Sequence, residues 1–206
     1  MSTFVQMRAV IADDLDRSDM TTQINRAINR AIEYYEKEPF WFKETTGTFS
    51  TSSGTKIYTT ATIPTDISKI DRMEVVVSGN DQPLTEVTFD EIEDIDFSHQ
   101  TGIPDRFAFY SNSIYLYPIP NGTYTIRLAY TKTYAQLSAD SDTNDWTTEA
   151  EDLIECRALW TLYSRTIKDD EEANKYKAAE EDALQALRSK TEQHNGTSAT
   201  VRSTEF

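Results

Sequence analysis

The sequence predicts an α+β protein: a helical bundle built from the N- and C-terminal helices, a β-rich insertion, and an extended C-terminal arm. Two changes of hydrophobic period carry that prediction. Helical spacing governs residues 1–44, a period of two governs residues 45–134, and helical spacing returns over residues 135–190. The third observation is residues 191–206, "TEQHNGTSATVRSTEF", which hold almost no core-forming side chains.

The first helix is expected in "VQMRAVIADDLDR", where Val5, Arg8 or Ala9, Ile11 or Ala12, and Leu15 fall at helical spacing. A second is clearer: Ile24, Ala27, Ile28, Ala31, Ile32 and Tyr35 form one stripe, with Asn25, Arg26, Asn29, Arg30 and Glu33 opposite. Thr21 or Ser18 can accept from its free N–H groups, and Pro39 disfavours helix in the residue before it. Together these make an amphipathic hairpin of two helices.

From Thr45 the pattern alternates. "GTFSTSSGTKIYTTATIP" reads as strand, Ser-Ser-Gly turn, strand, and "ISKIDRMEVVVSGNDQPLTEVT" as strand, Gly-Asn-Asp turn and short partner. "TFDEIEDIDF" suggests a short helix capped by Thr88. "RFAFY", "SIYLYP" and "TYTIRLAY" then read as a β-meander joined by Ser-Asn and Pro-Asn-Gly turns. In its last strand Tyr124, Ile126, Leu128 and Tyr130 face the core. Tyrosine suits such strands because its ring packs while its hydroxyl reaches a polar edge.

After the loop "AQLSADSDTNDW", Leu153, Cys156 or Arg157, Trp160 and Tyr163 or Ser164 mark a helix. The next follows with Ala173, Tyr176, Ala179 or Glu180, Ala183, Leu184 and Leu187, its other face rich in Glu and Lys.

Composition limits function. In 206 residues, 38% are hydrophobic and 27% charged, and 20 basic against 35 acidic side chains give a net charge of −15. That surface repels phosphate backbones, which argues against sequence-specific nucleic-acid binding. It is compatible with lining a passage through which DNA slides without sticking. Cys156 is the single cysteine, excluding an internal disulfide and a cysteine zinc cluster. No apolar run approaches a membrane span. The sequons at Asn121 and Asn195 carry little weight without a secretory signal, so the chain is expected to be intracellular, soluble and free of membrane.

The sharpest chemical motif is "DSDTNDWTTEAE". Asp140, Asp142, Asn144 and Glu151 occupy the first, third, fifth and twelfth places of a calcium-loop pattern. The sixth place, where the sharp turn calls for glycine, is Asp145, and a strand rather than a helix precedes it. The plain alternative is a polar loop with Thr147 or Thr148 as N-cap and Glu151 in the first turn. The acidic runs Asp13, Asp14, Asp16, Asp19 and Asp90, Glu91, Glu93, Asp94, Asp96 suit helix ends better than acid–base work. Only His99 and His194 are present, with no phosphate loop or nucleophile elbow, so neither a catalytic site nor a cofactor is expected. Phe40, Trp41 and Phe42 could stack on sugars, but read better as closing a seam between helices and sheet. Trp146 and Trp160 share that ambiguity, with Trp160 favoured for the core.

The order of the pieces is informative. "IADDLDRSDMTTQINRAINRAIEYYEKEPFWF", "GIPDRFAFYSNSIYLYPIPNGTYTIRLAY" and "DWTTEAEDLIECRALWTLYSRTIKDDEEANKYKAAEEDAL" occur in that order. Leu15, Arg17, Asp19, Met20 and Thr21 make one step. Gly102, Pro104 and Phe107 lead a strand pair bearing Ile114, Leu116, Pro118 and Pro120. Asn144, or Asp145 read directly, then precedes Trp146. Over most of residues 3–187 this resembles the head-to-tail adaptor (connector, or head-completion) proteins of tailed bacteriophages. The resemblance implies a structural virion component at the head–tail junction, made in the host cytoplasm. It implies a homo-oligomeric ring, usually of twelve copies, beneath the portal protein, with a downstream tail or nozzle protein at its other end. DNA would pass transiently and non-specifically through an acidic channel.

In that frame the C-terminal arm docks on the portal or a neighbouring subunit, with Asn195, Thr197, Thr200, Val201, Arg202 and Phe206 as contact residues. Tyr115, Tyr117 and Tyr124 become a stiff tail-facing or inter-subunit surface. The rival is a non-catalytic carbohydrate- or calcium-binding module of a phage tail, using the tryptophans and the Asp-rich loop.

Overall fold

The computed structural model describes residues 2–95 and 99–196. In chain order the elements are α1 (Phe4–Asp14), α2 (Thr21–Tyr35), a 3-10 turn (Trp41–Lys43), β1 (Glu44–Ser50), β2 (Ile57–Tyr58) and β3 (Ile67–Val77). β4 (Asn80–Pro83), β5 (Thr85–Glu86), α3 (Phe89–Ile95), β6 (Thr101–Gly102), β7 (Arg106–Tyr110) and β8 (Ser113–Tyr117) follow. The chain continues with β9 (Ile119–Pro120), β10 (Thr125–Lys132), α4 (Asp145–Glu149), α5 (Glu151–Leu162), a π turn (Tyr163–Ile167) and α6 (Asp170–His194). The α+β expectation holds. Two compact units result: Met1–Lys43 with Tyr134–Phe206, and Glu44–Thr133.

In the helical unit α2 buries the stripe its spacing predicts, Ile24 through Tyr35. Its start differs, because Met20 holds the N-cap position without a side-chain bond. α1 buries Phe4, Met7 and Ile11, with Leu15 buried at its C-cap, so the expected stripe holds at Ile11 and Leu15 and lies one step earlier than Val5 and Arg8 at its start. The cause is at its start: Thr3 and Gln6 form a reciprocal capping box, which brings Phe4 into the first turn.

α5 buries Leu153, Ile154, Ala158, Leu159 and Leu162, leaving Trp160 half-buried. The core tryptophan is Trp146, fully buried in α4 and edge-on to Phe40 at 5.7 Å and Phe42 at 5.1 Å. Phe40 and Phe42 therefore belong to the core of the helical unit and are too enclosed for a sugar platform. Burying one such side chain contributes about 1.5–3 kcal/mol. Asn144, rather than Thr147 or Thr148, caps α4.

α6 starts where the Asp169 carboxylate accepts from the Glu171 and Glu172 N–H groups. It runs to His194, so residues 191–194, expected to begin an extended arm, are its last turn. Thr191 is buried there and donates to the Leu187 carbonyl at 2.9 Å. Asn195 is the C-cap. Thr197, Thr200, Val201, Arg202 and Phe206 lie outside the described residues.

In the β unit the meander is replaced by two four-stranded sheets, ordered β1-β10-β3-β4 and β2-β8-β7-β5, and a two-stranded β6-β9 pair. β7 and β8 form the expected hairpin across Ser111–Asn112, but β10 pairs with β1 and β3 instead of β8. The two sheets bury their inner faces in one cluster, with Phe49, Met73, Val75, Ile126, Leu128 and Tyr130 from the first and Phe107, Ile114 and Leu116 from the second. Strand phase is as expected: Ile126 and Leu128 are buried, and Thr125 and Arg127 exposed. The β3–β4 turn is Ser78–Gly79, one residue earlier than the sequence suggests, with φ of 52° and 82°. Both positions are left-handed, the pattern of the type I′ loop, whose backbone twist matches that of the flanking strands. Thr88 accepts from the Glu91 N–H at 3.2 Å and starts α3 as expected.

Candidate functional site

Three regions hold the residues that the sequence singles out: the end of α6, the outer face of β8 and the Asp-rich loop before α4. The first is the end of α6. His194 stacks on Trp41 with centroids 4.9 Å apart and planes 8° from parallel. The Lys190 ammonium lies 4.5 Å from the centroid of the same indole and donates to Glu149 at 3.0 Å. Arg188 forks onto both Glu38 oxygens at 3.0 Å. These contacts hold the last turns of α6 against the 3-10 turn and the residues that follow α2. Read from sequence, His194 is a residue of the polar tail. The signal missed is that Thr191 and His194 extend the Ala173–Leu187 stripe at spacings of three and four.

α6 is tied to α2 and α5 by a buried charge. Glu180 is 1% exposed and accepts from Arg157 at 3.0 Å, Lys177 at 3.3 Å, and the Tyr35 hydroxyl. Burial first, and then the Glu180 carboxylate, push the Tyr35 phenol up. The Arg157 guanidinium lies 3.8 Å from the Tyr34 ring centroid and 4.4 Å from that of Trp160. This flat packing requires arginine.

On the β unit the three tyrosines separate. Tyr115 and Tyr117 share the outer face of β8, alternating with buried Ile114 and Leu116. Phe89 of α3 packs edge-on to Tyr115 at 5.0 Å and stacks on Tyr110 at 4.5 Å. The Tyr117 hydroxyl donates to Gln100 at 3.1 Å. Tyr124 instead packs partly against the inner cluster and donates to Asn121 at 2.5 Å. Register places Ile57 beside Tyr115, and Ile57 and Tyr110 are 45% and 53% exposed. Those two, unremarkable in sequence, enlarge the apolar part of this surface.

The Asp-rich loop uses its oxygens locally. Asp142 accepts from the Ser138 and Ala139 N–H groups at 2.7 and 2.8 Å, which holds its carboxyl below the usual range. Asp140 pairs with Arg8 at 2.8 Å, Asn144 accepts from the Thr147 N–H at 3.2 Å, and Glu151 opens α5. Among the described residues no group of three or more His, Cys, Asp or Glu converges as a metal site. Nor is any described helix long and apolar enough to cross a membrane.

No curated protein matches the chain. The family model described as SU10 adaptor protein matches residues 2–203, nearly the whole length and across both units. A helical unit with an anchored terminal helix and a two-sheet unit with an aromatic face are thus parts of one matched sequence. The chain belongs to the SU10 adaptor protein family of phage head–tail adaptors, and is a structural component of a phage virion.

Proposed function

We propose that copies of this chain, twelve in the usual arrangement, form a ring that joins the capsid portal to the tail and leaves an acidic channel for DNA. The observation that carries this is the family match over residues 2–203. A net charge of −15 supports the channel, because like charge keeps a duplex mobile where clustered cations would hold its phosphates. The segment after α6, with Asn195, Thr197, Thr200, Val201, Arg202 and Phe206, reaches the portal or a neighbouring copy from the origin fixed by Trp41 and His194. The Tyr115–Tyr117 face, with Tyr124 elsewhere on the β unit, meets the next tail component or a neighbour.

The test is to mix the chain with portal particles from its own phage and count bound copies by electron microscopy. A closed ring is expected, and deletion of residues 197–206 should abolish attachment while thermal unfolding stays unchanged. Normal attachment by the truncated chain sinks the portal-docking role of the arm. A single bound copy, or an inner surface of net positive charge, sinks the ring or the channel respectively.

A further inference from the structure

Arg26, Arg30 and Arg165 line one shallow groove between α2 and the π turn that ends α5, with Ala27 as a small residue beside them and the hydroxyls of Thr161 and Thr166 at hand. All three arginines are exposed, and no described residue pairs with any of them. Every other described arginine has a carboxylate within ion-pair distance. In a chain with 35 acidic and 20 basic side chains, three unpaired guanidiniums in one groove run against the composition. Arg26 and Arg30 also stand one helical turn apart on α2, where like charges repel.

The same unit carries the complementary deficit. Asp14 at the end of α1 and Glu151 and Asp152 at the start of α5 all lie close enough to act electrostatically on Glu155, one turn further along α5. No described cation pairs with any of the four. One Glu155 oxygen is buried with no hydrogen-bond partner. Guanidinium forks match carboxylates in plane and charge. The duplex is the weaker candidate for the groove, because the chain as a whole repels phosphate.

We propose that the Arg26–Arg30–Arg165 groove of one copy receives the acidic edge around Asp14 and Asp152 of a second copy. Because the two patches differ, the contact is head-to-tail, and repetition of it closes a ring or continues as a filament. The proposal rests on the self-association inferred above and names the surfaces that carry it.

Two variants with exposed changes test it, Arg26→Glu/Arg30→Glu/Arg165→Glu and Asp14→Lys/Asp152→Lys, with thermal unfolding as the control for folding. Sedimentation of the free chain at low salt should show association of the wild type that high salt weakens. Each variant alone should associate at least about tenfold more weakly, and an equimolar mixture should recover association, because each reversed face then meets its complement. Wild-type strength in either single variant, or no recovery in the mixture, overturns the proposal. So does an arginine variant that loses only retention on duplex DNA. A wild type that stays monomeric in solution also overturns it, while the ring itself is decided separately by the count of portal-bound copies.

Discussion

Inside the helical unit the hydroxyl of Tyr35, on α2, donates to the carboxylate of Glu180, on α6. Arg157 of α5 completes the group at 3.0 Å, so one buried charge binds three helices. Removing Arg157 leaves that charge with the Lys177 ammonium at 3.3 Å and the Tyr35 hydroxyl as its remaining partners. Arg157→Met is expected to cost about 1–3 kcal/mol, since Lys177 still faces the carboxylate, and Arg157→Met/Glu180→Met to recover part of it, the Tyr35 hydroxyl being left without its acceptor. Urea midpoints for the two variants check this. Equal loss in both would mean that stacking against Tyr34 and Trp160, and not the charge, carries the stability.

Glu155 supplies a pH dependence of known sign. Burial, followed by Glu151, Asp152 and Asp14, pushes its carboxyl up from 4.5 to about 7. The folded state therefore holds this proton more tightly than the unfolded state does. The stability it contributes is complete below pH 4.5 and is lost as pH rises to about 7. Because the group is only partly buried, solvent screening reduces the effect to about 1 kcal/mol. Glu155→Gln should be more stable than wild type at pH 8 and should flatten this part of the pH profile.

Ile126 is fully buried on β10, the strand that links β1 to β3. Ile126→Asp places a carboxylate in that cluster and should cost several kcal/mol, on the order of the stability of a small unit. Thr125→Asp, on the exposed side of the same strand, should change stability by about 0.5 kcal/mol or less. Circular dichroism and thermal melts of the pair would separate burial from mere charge.

The Trp41–His194 stack can be weakened at a half-buried side chain on the margin of the core, where Trp41 also meets Phe42 edge-on at 5.2 Å. Trp41→Ala removes the platform under both His194 and Lys190, at about 1 kcal/mol. Hydrogen exchange should then quicken over residues 190–195 and stay unchanged over α2. Unchanged exchange at the end of α6 would remove the fixed-origin argument.

Sequence legibility followed the cleanliness of each pattern. α2 could be read residue by residue because its apolar side chains lie on one stripe and its polar ones opposite. In α5 and α1 apolar residues lie on more than one side, so spacing alone favoured Trp160 and Val5 where the fold buries Trp146 and Phe4. The alternation in β10 correctly gave the inward face of Ile126 and Leu128. It could not give the neighbours, because β1 lies some eighty residues away and β3 about fifty. Surface pairing was the least legible: nothing in sequence says that Trp41 meets His194, or that Arg26, Arg30 and Arg165 share a groove.

The pairing of β1 with β10 has a bearing on how such a chain could be rearranged. Glu44 lies opposite Thr131, so the first and last strands of residues 44–133 are hydrogen-bonded neighbours. A segment whose two ends meet in this way is a cassette. It could be cut out and expressed alone, or replaced by a hairpin loop of about 2–5 residues, leaving the flanking helices still joined. It could equally be exchanged for a different cassette. A lineage of adaptors could therefore keep one helical unit while trading the module between its halves, and so change attachment without redesigning the bundle.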